Sequence, residues 1–96
     1  MEAFILKNIL IIDDSALMRR IISDIINSDE ELHNERFAVN GLEGIALLES
    51  GFRFDCIILD INMPKMNGIE FLRTMNRKGI KQNVIIVSTI AKEGAR

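Results

Sequence analysis

A single cysteine, Cys56, leaves this chain without a partner for an internal disulfide, and its place inside an apolar run reads as a core position. No apolar run approaches the length needed to cross a bilayer, so membrane insertion is not expected. The opening residues, Met1-Glu2-Ala3-Phe4, carry neither a charged n-region nor a long apolar stretch, so no secretory signal is read. A reducing, cytoplasmic setting is the expectation. Basic residues form no stripe: 12 Lys and Arg lie interspersed among 14 Asp and Glu, for a net charge of -2 and a pI of about 5.3. That balance argues against direct nucleic-acid binding. No repeat, low-complexity tract or linker interrupts the 96 residues. With 48% apolar and 27% charged residues, they have the composition of one small folded domain spanning 1–96.

What is present is an alternation of two apolar patterns. Short continuous runs (Ile9-Leu10-Ile11-Ile12, Cys56-Ile57-Ile58-Leu59, Val84-Ile85-Ile86-Val87) have the character of strands buried on both faces, as in a parallel sheet. Between them lie stretches of helical spacing. After the Ser15 cap, Leu17, Met18, Ile21, Ile22, Ile25 and Ile26 recur at three and four residues. That face is broad, so the helix is expected to be covered by more than the sheet. Arg19 and Arg20 read as its wet side. Residues 32–39 are the weakest segment, with Phe37-Ala38-Val39 fitting an edge strand and His33 a solvated loop. Asn40-Gly41 reads as a turn before a helix over Leu42–Leu48, which Gly44 should soften by about 1 kcal/mol relative to Ala. Gly51 ends it. A loop, 62–68, leads to a third helix carrying Ile69, Phe71, Leu72 and Met75 and stopped at Gly79. Met18 and Met75 read as core, Met63 and Met66 as loop residues. Lys92–Arg96 could open another helix. Strand and helix alternate throughout, which predicts an α/β fold with right-handed crossovers.

All three strand runs end at acidic or hydroxyl residues: Asp13-Asp14, Asp60 and Ser88. Neighbouring parallel strands would bring these to one sheet edge, where open parallel sheets bind their ligands. Clustered carboxylates repel and call for a cation. Mg²⁺ suits such a site, because it takes one or two carboxylates and keeps several waters. Asp14 and Asp60 would be direct ligands, Asp13 would act through water, and the Asn62 backbone carbonyl could complete the set. With repulsion relieved by the cation, Asp60 is the candidate nucleophile toward a phosphoryl group. Ser88 could donate a hydrogen bond to that group, although Thr89 beside it could serve instead.

Taken in order, these residues resemble the receiver domains of two-component response regulators. The likeness rests on Ile11-Ile12-Asp13-Asp14-Ser15, Asn40-Gly41, Leu59-Asp60-Ile61-Asn62-Met63-Pro64, Met66-Asn67-Gly68 and Val87-Ser88. It implies a flavodoxin-like, doubly wound parallel sheet. Asp60 would be the phosphoacceptor for a histidine kinase, with Asp13, Asp14, Asp60 and Asn62 serving Mg²⁺ and Ser88 as the switch hydroxyl. Asp14 to Arg19, Leu59 to Pro64 with Met66 to Leu72, and Ser88 to Ala95 look narrower still, like the receiver of the chemotaxis methylesterase. In that family a hydrolase domain, absent here, follows and demethylates glutamyl esters on chemoreceptors. The chain itself would catalyse only its own phosphorylation and dephosphorylation.

The family's five-strand order is 2-1-3-4-5, and this chain is expected to supply 2-1-3-4, incomplete at its C-terminal end. The fifth strand, the fifth helix and the family's strand-end lysine would be missing, and Lys92 is too near Ser88 to replace that lysine. Val84–Val87 would then be an apolar edge, favouring an oligomeric or rearranged form. The alternatives are a free-standing chemotaxis regulator, or an interaction module that keeps the site residues without being phosphorylated. A hydrolase working through an aspartyl-phosphate, like the haloacid-dehalogenase group, is disfavoured because no acid follows Asp60 two residues on.

Overall fold

In the computed structural model, which describes residues 7–87, four strands and three helices alternate. They are β1 (Lys7–Ile12), α1 (Ala16–Asn27), β2 (Leu32–Ala38), α2 (Gly41–Glu49), β3 (Cys56–Asp60), α3 (Gly68–Arg77) and β4 (Val84–Val87). The strands form one parallel sheet in the order β2-β1-β3-β4. This is the α/β fold expected from the alternation of strand and helix, in the flavodoxin-like order that the family resemblance implies. The expected fourth helix over Lys92–Arg96 lies outside the described residues.

Burial divides by strand periodicity. On one face Leu10, Ile12, Ala38, Ile57 and Leu59 meet Ile45 of α2 and Phe71 and Met75 of α3. On the other, Ile9 and Ile11 meet Ile26, with Ile22, Leu32, Cys56 and Ile58 packed around them. Phe71 is fully buried at the centre of the larger cluster. An aromatic side chain so placed contributes about 1.5–3 kcal/mol through apolar area removed from water. Met63, read from the sequence as a loop residue, is also core, and Met66 packs against it. The loop before α3 is therefore anchored by its own apolar side chains. Met75 is core as expected, whereas Met18 is only partly buried.

Local chemistry sets the helix ends. The Ser15 hydroxyl accepts from the Met18 amide and opens α1. Asn40, read as a turn residue, is instead the N-cap of α2, its side chain accepting from Glu43 N. Asn67 and Glu70 form a reciprocal capping box on α3. Gly79, at φ 71°, closes α3: its own amide donates to Asn76 O and the Ile80 amide donates to Met75 O. That paired arrangement satisfies carbonyls the helix leaves free.

Strand β2 is longer than expected. It is an edge strand that runs from Leu32 and includes His33, which is exposed but not in a loop. Its pairing with β1 holds one irregularity: Ile9 pairs with Asn34 but Leu10 with Arg36, leaving Glu35 as an extra residue. At the opposite edge, among the described residues, Ile85 and Ile86 of β4 are half exposed. The outer stripe of α1 (Leu17, Ile21, Ile25) also faces solvent, so the sheet covers only part of that broad face. Cys56 is half-buried rather than fully enclosed, and burial pushes its thiol above the usual range.

Gly44 does more than soften α2. A Cβ there would meet Ile12 Cδ1 at 2.6 Å and Phe71 Cε1 at 2.9 Å, so the helix sits close because the side chain is absent. At Gly68 the obstacle is backbone: a Cβ would meet Asp60 O and Ile61 Cα, both at 2.8 Å. Gly44→Ala is expected to change stability by less than about 1 kcal/mol, since helix propensity gained offsets crowding of side-chain tips. Gly68→Ala should cost roughly 2–3 kcal/mol, because backbone cannot step aside. Urea unfolding of both variants checks the ranking, and the reverse order would refute this account of the two contacts.

Burial favours the protonated Cys56 thiol, so its folded pKa lies above its unfolded one. The resulting stability is fully present below the unfolded value and is lost as pH rises through the folded one, in the alkaline range. At neutral pH a thiol reagent should label the folded chain more slowly than the urea-unfolded chain. Equal rates would contradict the assignment.

Candidate functional site

Adjacent parallel strands carry two of the acids to the same level. Ile12 of β1 pairs with Leu59 of β3, so the next residues along, Asp13 and Asp60, stand side by side where both strands end. Parallel neighbours lie about 4.8 Å apart. Asp14 follows at once in the turn into α1. One carboxylate oxygen from each of Asp13, Asp14 and Asp60 lies within 4.8 Å of the others. The convergence expected from the three strand ends is thus present for all three acids. Asp13 is 2% exposed and Asp60 1%, while Asp14 opens to solvent.

Asp13 and Asp60 are held by their surroundings. The Asp13 amide donates to Ala38 O at 3.1 Å, tying the end of β1 to β2. An oxygen of its carboxylate accepts from Ser15 N at 2.8 Å, and its carbonyl accepts from Arg19 Nη1 at 2.8 Å. Asp60 Oδ1 accepts from Asn62 N at 3.3 Å. Asn62 itself is exposed, directly after the strand end. The loop that follows is pinned at both ends: Gly68 N donates to Ile61 O and Gly41 N donates to Met66 O. These bonds and the buried Met63 fix the path of the chain away from Asp60. Lys65, in between, takes a left-handed backbone at φ 66°.

Register also places the fourth strand, for Val87 pairs with Asp60. Ser88, the predicted hydroxyl, follows Val87 in sequence but lies outside the described residues, as do Thr89 and Lys92.

Electrostatics gives the cluster its meaning. Exposed acids gather on many surfaces without consequence, but two of these are almost wholly removed from water. Like charges at such separation and burial are unfavourable unless positive charge or hydrogen-bond donors compensate. Three carboxylate oxygens, one side open to solvent, suit a hard divalent ion that retains water. The donor set contains no histidine or thiolate, which would favour softer metals.

Arg19 is a residue that the sequence pattern conceals. Its spacing puts it with Arg20 on the wet side of α1, and Arg20 is indeed exposed, in a 3.7 Å solvated pair with Asp24. Arg19 turns inward to the Asp13 carbonyl and lies over the Phe37 ring, 4.9 Å from its centroid. No local pattern distinguishes the two arginines; their different roles follow from where β2 sits. The Asn67 cap, by contrast, has a visible signal in the Glu three residues on.

Comparison with known proteins agrees with this geometry. Residues 9–96 match the family model described as the response regulator receiver domain. A protein-glutamate methylesterase/protein-glutamine glutaminase of Treponema denticola is 47% identical over 94 residues, covering 92% of this chain and 23% of the relative. The chain therefore spans about a quarter of the length of the curated relatives it matches. Among solved structures, the response regulator domain of Thermotoga maritima CheB superposes with a TM-score of 0.78 at 40% identity, over 94% of this chain and 66% of that one. A chain of the CheX-CheY-BeF3-Mg+2 complex from Borrelia burgdorferi superposes with a TM-score of 0.79 at 33% identity, over 93% and 66%. With strand order, acid cluster and family match in accord, this chain belongs to the response regulator receiver domain family.

Proposed function

We propose that the chain is the phosphoacceptor domain of a chemotaxis signalling protein of the methylesterase type, with Asp60 receiving the phosphoryl group from a histidine kinase. One observation carries this reading: a nearly buried strand-end aspartate sits within 4.8 Å of two further carboxylates at the ligand-binding edge of a parallel sheet. The likeness to methylesterase receivers supports the chemotaxis assignment.

Asp13, Asp14 and Asp60, with the Asn62 carbonyl, would hold Mg²⁺. When bound, the ion supplies positive charge that offsets both the acid cluster and the phosphoryl oxygens. A carboxylate oxygen of Asp60 attacks phosphorus in line, forming the O–P bond as the N–P bond to the kinase imidazole breaks. The electron pair leaves with that nitrogen. The hydrogen bond from Asn62 N orients the Asp60 carboxylate for the approach. Ser88, one residue past the strand partner of Asp60, would donate to a phosphoryl oxygen and carry the signal into the segment that follows. In the parent protein this would relieve inhibition of an attached methylesterase, in the cytoplasm. The similar Borrelia burgdorferi assembly is a complex with BeF3 and Mg, which accords with the same chemistry here.

We also propose that the protein self-associates. The observation behind this is the half-exposed apolar strand β4, which lies at the sheet edge among the described residues.

Incubation with Mg²⁺ and a small phosphodonor should add one phosphoryl mass, located on Asp60 by peptide mapping and absent from Asp60→Asn. Asp13→Asn should raise the Mg²⁺ concentration needed for half-maximal reaction by roughly tenfold or more, as loss of a carboxylate near a metal does. No adduct on this chain or on a longer version would sink the proposal. Sedimentation at micromolar concentration should show a species larger than the monomer; a stable monomer would refute self-association.

A further inference from the structure

The end of β2 grips Asp13 from two directions. Directly, Ala38 O accepts from the Asp13 amide at 3.1 Å. Indirectly, the preceding residue, Phe37, supports the Arg19 guanidinium, whose Nη1 donates to the Asp13 carbonyl at 2.8 Å. Both backbone groups of Asp13 are thus committed through adjacent residues of one strand, and its carboxylate accepts from Ser15 N. The Asp13 carbonyl belongs to the peptide that bonds Asp14, so its orientation sets the direction in which Asp14 leaves the strand.

We propose that Arg19 is a positioning residue for the cation site. It acts by holding the 13–14 peptide, with Phe37 as the platform that keeps the guanidinium in place. The inference rests on the cation-binding reading of Asp13, Asp14 and Asp60 and deepens it. Arg19 touches neither ion nor phosphoryl group in this role. Its planar fork lets one edge donate while its face lies on the ring, which an ammonium cannot reproduce. Charge alone argues the other way. A guanidinium near a cation site repels the ion, so its removal would tighten binding if Coulomb repulsion were its only influence. The sign of the effect therefore separates positioning from simple electrostatics.

The test is Mn²⁺ binding to the full chain, followed by electron paramagnetic resonance with Mg²⁺ as competitor. Arg19→Met keeps most of the stem and loses the donors, and should weaken binding roughly tenfold, the scale seen when groups orienting metal ligands are removed. Arg19→Lys should fall between it and wild type. Phe37→Leu, which leaves Arg19 in place but removes its platform, should weaken binding by a smaller factor. Thermal unfolding in chelator, measured on the same variants, should stay close to wild type while affinity drops. Should Arg19→Met fail to fold, Arg19→Lys and Phe37→Leu carry the comparison. Unchanged or tighter binding in the folded variants, beside a wild type that binds, overturns the role of Arg19 alone. A wild type that binds neither ion overturns the cation site and this inference with it.

Discussion

Two carboxylates that cannot escape each other are the constraint around which this domain is arranged. Asp13 and Asp60 are neighbours because β1 and β3 pair in parallel with Ile12 opposite Leu59. They are buried because each terminates a strand whose preceding residues are core on both faces. The protein meets that electrostatic load with fixed hydrogen-bond donors, Ser15 N and Asn62 N, and with an opening toward solvent at Asp14.

The loop after β3 shows how packing supports chemistry. Gly68 brings the start of α3 against the backbone of Asp60 and Ile61, closer than any side chain would allow. Met63 plugs into the larger core, and Met66 offers its carbonyl to the first amide of α2. Three elements thus share the task of fixing one aspartate. A small change in that aspartate has several mechanical outlets, because the loop that follows it is tied to both α2 and α3.

Much of this is legible in residue pattern. The strands β1, β3 and β4 stand out as apolar runs, the Ser15 cap and the Gly79 stop carry their own chemistry, and the acids at the strand ends announce a shared edge. Where pattern misleads, tertiary placement decides the outcome. Residues 32–36 lack an apolar run because an edge strand tolerates polar side chains, so only the end of β2 is visible. Met63 lies in a loop by sequence and in the core by position. Arg19 and Arg20 are chemically identical, and only the location of Phe37 tells them apart. Gly44 reads as a weak helix residue until the nearness of Ile12 and Phe71 is known.

The additional residue in β2 at Glu35 governs which way the rest of that strand points. Parallel partners share a face, and Phe37 pairs with Ile11, on the side covered by α1. Were Glu35 instead to pair with Leu10, the register beyond it would move by one, and Phe37 would stand opposite Ile12, on the side of α2 and α3. The guanidinium of Arg19 would then have no ring to rest on, and an aromatic side chain would be forced into the space Ala38 occupies beside Ile12. One position left out of the pairing therefore determines the sidedness of the strand end that steadies the acids.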